Sequence, residues 1–376
     1  MTRLRHPLLL ALSLPLALMA CKPSTDADAA PAAHTANPAS EPAVADSAFV
    51  LQPQRKDVSK GLYEIVFDPA SSSLFAASTG FDAKDGGRIY QLDATTLDIK
   101  HEYPVERRSF ALGLNRSTNT LYIGNTLDGS VTALDAATGT TKGVFQLGKT
   151  DAEGNAAHTR KVIVDEAGNR LFVTNPEETE GRLWIVDGAS GKILHTLEKL
   201  GKYPTGAAYD SQNKRLYVGH GGSQEIAVVD PDSGKVVTRF DTGEADAHYF
   251  INLAVDPASN RLFASDASTS SLAVFDTTTG KVIKTVPAGV GTLDILFNPV
   301  RQEIYLTDRG VNRETKDGSG HLSVIDATSY AVKHTLDLPP HPNSLALSDD
   351  GQTLYVSVKN GRGADTPEGI VRVPLQ

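Results

Sequence analysis

Short apolar stretches alternate with polar turns along most of this chain. Seven times a turn is followed by Leu or Ile and then by Tyr or Phe. The aromatic of each pair is Phe75, Tyr122, Phe172, Tyr217, Phe263, Tyr305 and Tyr355, at intervals of 47, 50, 45, 46, 42 and 50 residues. Self-similarity at a period of about 40–50 residues marks the blades of a β-propeller. The fifth copy, FINLAVDPASNRLFASDASTSSLAVFDTTTGKVIKTVPAG, shows the plan. INLAVD predicts an innermost strand, RLFASD a second, SLAVFD a third and KVIKTVP an outer one, with turns at PASN and TTTG. The third strand is apolar almost throughout, as a strand covered on both faces must be. The outer one mixes Val282, Ile283 and Val286 with Lys281, Lys284 and Thr285, which fits a half-wet rim.

The phrase closing the third strand recurs as VTALDAATG, LWIVDGASG, IAVVDPDSG and LAVFDTTTG. Its glycine (Gly139, Gly191, Gly234, Gly280) supplies the positive φ of a tight turn. Its aspartate (Asp135, Asp187, Asp230, Asp276, and Asp326 in the sixth copy) invites a catalytic reading. A residue repeated at one place in blade after blade reads instead as a turn whose carboxylate accepts bonds from nearby backbone N–H groups. The seventh copy, NSLALSDDGQTLYVSV and GIVRVPL, supplies only three strands. An open edge invites pairing with other chains, so the fourth is expected from the start of the domain, around residues 49–56 (FVLQPQRK). The expected fold is all-β. It is a seven-bladed β-propeller of four-stranded antiparallel blades over residues 48–376, its ring closed by an N-terminal strand that completes the last blade.

Residues 1–20 stand outside this pattern. Behind Arg3 and Arg5 runs LLLALSLPLALMA, too short to span a bilayer and shaped like a secretory signal. Its end, Leu18-Met19-Ala20-Cys21, resembles a bacterial lipobox. That resemblance implies lipidation of Cys21, which becomes the mature N-terminus. Cys21 is the single Cys of the chain, so no intrachain disulfide can form. Several acyl chains on one residue anchor stably. Lys22, where Asp would retain the protein at the inner membrane, points to the outer membrane, facing the periplasm or the cell surface. Residues 21–47 are rich in Ala, Pro and Ser and hold no aromatic; they read as a disordered tether with a reach of roughly 25–30 Å.

The formal charge is −9, and loss of Arg3 and Arg5 with the signal makes it −11. A field of that sign repels generic polyanions. In a propeller, the loops leading into the inner strands and the loops joining second to third strands lie on one face. Here the lead-in segments carry Arg107, Arg108, His158, Arg160, Tyr203, His248, Tyr249, Asn252, His341 and Asn343. The second-to-third loops carry Asn125, Asn175, His220, Asp308, Arg309 and Lys359. Three loops are long, near Asp82 and after Asp308 and Lys359, whereas the opposite turns are short and stereotyped. Function tends to ride on irregular loops over a rigid scaffold, so this lead-in face is the expected binding surface. Each candidate has a structural rival: His248 can bond a carbonyl, and His341 sits in PPHPN. His158, His248 and His341 lack tight metal-ligand spacing, so no metal or cofactor is expected. Trp184, in LWIVD, reads as core.

The phrases RLFVTN and RLYVGH match the YVTN-type repeat. GLYEIVFDP, GGRIYQLDATTL, TLYIGNTLDGSVTALDAATG, HYFINLAVD, LFNPVRQEIYLT and HPNSLALSDDGQTLYVSVK resemble the YncE-like branch of that family, from Lys60 to the C-terminus. The resemblance implies a secreted seven-bladed propeller with no established catalysis and a link to nucleic acid, single strands included. Carried over by phrase, that link falls on Asn125, His248, Asn252, His341, Asn343 and Lys359. The lipobox, the tether and the acidic charge set this chain apart.

No G-x-S-x-G, H-E-x-x-H, P-loop or dinucleotide fingerprint is present. The leading expectation is a non-enzymatic, membrane-tethered, monomeric module that binds a protein or small ligand through its lead-in face. The alternative is a single-stranded nucleic-acid binder, which needs a basic groove with stacking aromatics. The third reading is a propeller enzyme, a lactone hydrolase or a quinone-dependent dehydrogenase.

Overall fold

The computed structural model describes residues 51–375 except 81–85, 151–155, 180, 244–247, 311–317 and 360–366. The expected signal, the lipobox with Cys21 and the whole tether region 21–47 lie outside the described residues, as do parts of the three long loops. What is described is all-β, seven four-stranded antiparallel sheets set in a ring. Blades one to six are residues 62–105, 109–146, 162–197, 204–241, 250–287 and 292–338. Within each, the strands run outward in chain order. The seventh joins Pro342–Leu347, Thr353–Val358 and Glu368–Pro374 to the N-terminal strand Gln54–Ser59.

That closing strand lies a few residues beyond the expected 49–56. Arg55 pairs with Val371, Lys56 with Ile370 and Asp57 with Gly369. The expectation was drawn toward the apolar FVL, but Leu51 packs against the core between the sixth and seventh blades. The strand itself is polar and half exposed, and the outer strand Val282–Pro287 is likewise open to water. Water on its far side selects polarity there.

The core is not central. It is seven apolar wedges, each shared by two neighbouring blades. The wedge of Leu62, Leu74 and Leu92 with Ala346, Tyr355 and Ile370 closes the ring. The seven repeat aromatics all lie on second strands and are all buried. Two tyrosines also reach into the next blade: Tyr122 Oη donates to Gly188 O at 2.9 Å and Tyr355 Oη to Ala94 O at 2.8 Å. Trp184 is buried in the wedge between the second and third blades.

The recurring aspartates cap turns, as their repetition implied. Asp135 Oδ1 accepts from Ala137 and Thr138 N–H, Asp276 Oδ1 from Thr278 and Thr279 N–H, and Asp326 Oδ1 from Thr328 and Ser329 N–H. Backbone N–H donors, Thr279 for Asp276 and Ser329 for Asp326, hold these carboxyls below the usual range. A second set, Asp68, Asp165, Asp210 and Asp256 with Asn115 and Asn298, caps the turns after the inner strands in the same way.

Removing all residues before Lys60 strips the seventh blade of its outer strand and one flank of its wedge. The truncated protein is expected to melt several degrees lower and to self-associate in size-exclusion chromatography. Unchanged melting with monomeric elution would contradict closure by this strand.

Candidate functional site at the channel mouth

Backbone hydrogen bonds put the two loop families on one face. In five blades the residue after the second strand donates to the lead-in loop of its own blade: Thr79 to Gly61 O, Gly221 to Tyr203 O, Ala267 to Tyr249 O, Arg309 to Gly291 O and Lys359 to His341 O, at 2.9–3.1 Å. His341 N–H also donates to Arg309 O at 3.0 Å, which ties the sixth blade to the seventh. The lead-in residues Gly61, Tyr203, Gly291 and His341 all have φ between 47° and 71°. That region is costly for Tyr203 and His341, so the turn geometry, rather than the flanking prolines alone, fixes His341.

Asp68, Asn115, Asp165, Asp210, Asp256, Asn298 and Ser348 follow or end the inner strands at equivalent places. Four residues before them stand Glu64, Ala111, Lys161, Gly206, Asn252, Asp294 and Ser344; five before, Tyr63, Phe110 and Arg160 in the first three blades. Lys161 Nζ donates to Glu64 Oε1 at 2.9 Å. The two residues come from the third and first blades, which are not neighbours, so they meet inside the channel. Asp294, from the sixth blade, adds its charge to the same cluster. Each acid also binds the next blade: Glu64 Oε2 accepts from Leu112 N–H at 3.1 Å, and Asp294 Oδ2 from Leu345 N–H at 2.8 Å. Asn252 Nδ2 donates to Leu293 O at 2.9 Å. Burial disfavours the Lys161 ammonium, but Glu64 and Asp294 outweigh it and raise its pKa. Burial raises the Asp294 carboxyl, against the pull of Lys161.

Beside this cluster lies a tilted aromatic pair not foreseen from the sequence. The Tyr63 and Phe110 rings are 4.2 Å apart. Lys359 Nζ sits 3.7 Å from the Tyr63 ring centre, and the Arg160 guanidinium 5.0 Å from that of Phe110. Arg160 pairs with Glu64 at 3.4 Å. Lys359 Nζ donates to Leu62 O at 2.6 Å and pairs with Glu368 at 3.2 Å, while Glu368 accepts from Leu62 N–H. This loop bolts the seventh blade to the first. Burial lowers the Lys359 pKa and raises that of Glu368. Burial and Glu368 raise the Tyr63 phenol, while Arg160, Arg108 and Arg309 pull the other way. Among the described residues, Arg108 makes no hydrogen bond or ion pair, and its Nε is buried without a partner.

The other candidates are placed differently. Asn125, Asn175, His220, Asn252 and Asp308 are buried and present little surface to a partner. Asn125 Nδ2 donates to Ser130 and Thr132, and Asn175 Nδ2 to His158 O at 2.7 Å. Arg107 pairs with Asp128 at 3.1 Å, toward the rim of its own blade. His158 is exposed and Asn343 half-buried. His248 Nδ1 lies 2.6 Å from Asp266 with its ring on Phe250, and Tyr249 N–H donates to the same carboxylate. Asp308 holds His321 at 2.9 Å. Among the described residues no three His, Cys, Asp or Glu side chains are grouped to hold a metal ion. On the opposite face, Arg116 pairs with Asp349 at 3.0 Å beside a cavity of about 370 Å³ lined by Ile65, Phe67, Leu296 and Leu345.

Two substitutions probe these groups. Lys161→Met removes the buried cation that Glu64 and Asp294 share, leaving Glu64 only Arg160, and is expected to cost about 3 kcal/mol at pH 7.5. The gap to wild type should narrow toward pH 5 as Asp294, its pKa already raised, takes up a proton. Equal denaturant stability of the two proteins at pH 7.5 would refute the cluster. His220 is fully buried, its Nδ1–H donates to Glu225 O at 3.1 Å, and burial lowers its pKa to about 4. The unfolded chain therefore binds a proton between pH 6.5 and 4 that the folded chain does not, and stability falls with pH across that window by on the order of 3 kcal/mol. His220→Asn is expected to flatten the slope; an unchanged slope would remove His220 as its source.

Residues 62–370 match the family described as the cytochrome D1 heme domain. The chain is also 37% identical over 331 residues to the uncharacterised protein YncE of Salmonella typhimurium and to that of Escherichia coli K12, covering 85% of this chain and 90% of each relative. A haem needs an open slot for its macrocycle and an axial side-chain ligand on the iron. Here Lys161 and Glu64 meet across the channel, and the buried His220 is turned to Glu225 O with Nε2 against Gly201. Among the described residues, those lining the channel do not fit that group. With its fold, its match over residues 62–370 and its YncE relatives taken together, the chain belongs to the cytochrome D1 heme domain family of β-propellers, as a YncE-like member.

Proposed function

We propose that this propeller is a non-enzymatic binding module of the bacterial cell envelope, tethered through lipid on Cys21, whose partner docks at the channel mouth on the lead-in face. One observation carries the reading. Arg108, Arg160, Arg309 and Lys359 gather around the Tyr63–Phe110 pair at the ring centre. Among the described residues, no nucleophile with an adjoining base accompanies them. The histidines that hold carboxylates, His248 and His321, face Asp266 and Asp308. An acidic protein that concentrates cations in one spot is suited to recognition there.

A second reading, single-stranded nucleic acid, draws on Tyr203 and Tyr249, half-buried on the same face. Stacking needs open aromatic faces, and those of Tyr63 and Phe110 are covered by Lys359, by Arg160 and by each other.

Crosslinking pull-down from envelope extracts with wild type and with Arg108→Glu decides between them. The expected result is a partner recovered by the wild type and lost from the variant, both proteins melting alike. Recovery of the same partner by both, or of none, would sink the reading. Oligonucleotide binding that weakens steeply with salt and is abolished by Tyr249→Ala would transfer the assignment to nucleic acid. In parallel, Cys21→Ser should move the protein from the membrane to the soluble fraction; retention on the membrane would refute the lipid tether.

A further inference from the structure

The face away from the lead-in loops has a different chemistry. There the residue after each inner-strand cap begins a turn, and in four blades it is uncharged: Pro69, Ser211, Pro257 and Pro299. The other three are Arg116, Glu166 and Asp349, and they meet. Arg116 Nη1 donates to Asp349 Oδ2 at 3.0 Å, and its Nε lies 3.6 Å from Glu166 Oε1. The second and seventh blades are not neighbours, so the Arg116 side chain reaches past the first blade to make that bond. All three side chains are 39–47% exposed, and ion pairs so open to water are weak. Along the strands behind them, the three positions before each cap hold no charged residue in any blade. Ile65, Phe67, Leu296 and Leu345, from the first, sixth and seventh blades, line a cavity of about 370 Å³ together with Arg116 and Asp349.

We propose that this cavity binds one small monocation with an apolar body, an arylalkylamine or its like, whose ammonium pairs with Asp349 in place of Arg116. The site lies on the opposite face from the partner surface proposed above and does not depend on it. Its size falls within the roughly 300–1,000 Å³ of small-ligand pockets, and its make-up, apolar walls with a charged group at one end, is theirs as well. The charge count picks the sign of the ligand. Arg116 is shared by two carboxylates, so a bound cation makes two positive groups to two negative, whereas a bound anion would set three negative groups around one guanidinium. Asp350 adds a further negative charge, engaged by Ser348 and Gln352 within its own turn, and Arg301 is paired with Glu303. The turn that carries Asp349 is held in place: Gly351 N–H donates to Ser348 O, and Gly351 O accepts from Asn298 Nδ2, each at 2.9 Å. The acid is thus fixed while the long Arg116 side chain is the part that yields, falling back on Glu166. Burial of the apolar body supplies affinity, and Asp349 supplies selection.

Calorimetry on the full chain at low salt tests this, with 2-phenylethylamine, 2-phenylethanol, phenylacetate and ethylamine as separate titrants. The expected outcome is one equivalent of 2-phenylethylamine bound. Phenylethanol and phenylacetate, which keep the body and lose the positive charge, should bind at least tenfold more weakly, as should ethylamine, which keeps the charge and loses the ring. Asp349→Asn, on an exposed turn, should weaken the amine at least tenfold. Arg116→Gln removes the competing cation and should tighten it severalfold, an effect that general damage to the cavity would not produce. Asp337→Asn, an exposed acid on the outer strand of the sixth blade, should leave binding unchanged and controls for loss of one negative charge. No binding of 2-phenylethylamine at millimolar concentration, phenylethanol or phenylacetate binding as tightly as the amine, Asp349→Asn binding like wild type, or weaker binding by Arg116→Gln would each overturn the inference.

Discussion

Closure of the ring is the constraint on which the rest depends. A single blade has two apolar faces and no core of its own. Each face is buried only against a neighbour, so seven wedges must form together or leave a face wet. The last wedge unites the two ends of the domain, with the N-terminal strand paired on Glu368–Pro374. The Lys359–Glu368–Leu62 loop lies at that same seam. A group at the channel mouth therefore also fastens the ring.

Repetition then creates the site. A side chain at one repeat position is delivered to the axis seven times over. Where copies agree, as with the turn aspartates, the result is scaffold. Where they diverge, as with Glu64, Lys161, Asn252 and Asp294, the result is a polar cluster assembled from distant sequence. Buried charges of this kind are weak evidence for stability in themselves, since desolvation opposes the Coulomb gain. Their hydrogen bonds to Leu112 and Leu345 give them a second task, satisfying backbone N–H groups of the following blade.

Much of this was legible from the amino acids. The Leu/Ile-aromatic pairs located every second strand, the recurring aspartates located turns, and propeller geometry assigned loops to a face. The expected closing strand lay too early because the apolar FVL outweighed the more polar QRKDVS, although outer strands here mix apolar and polar residues and are largely exposed. Tyr63 and Phe110 were passed over because they sit inside apolar phrases, GLYEIVFDP and SFALGL, where an aromatic reads as core. Their neighbours offered the missed signal: a lone charge in an otherwise apolar inner strand, Glu64 in LYEIVFD and Asp294 in TLDILFN. Conversely, Asn125, Asn175 and His220 looked like surface chemistry and turn inward, Asn125 to the Ser130 and Thr132 hydroxyls, Asn175 and His220 to loop carbonyls.

The contact of Lys161 with Glu64 has a mechanical consequence. It joins the third blade to the first across the axis, so two sheets that share no wedge are cross-linked and cannot tilt independently.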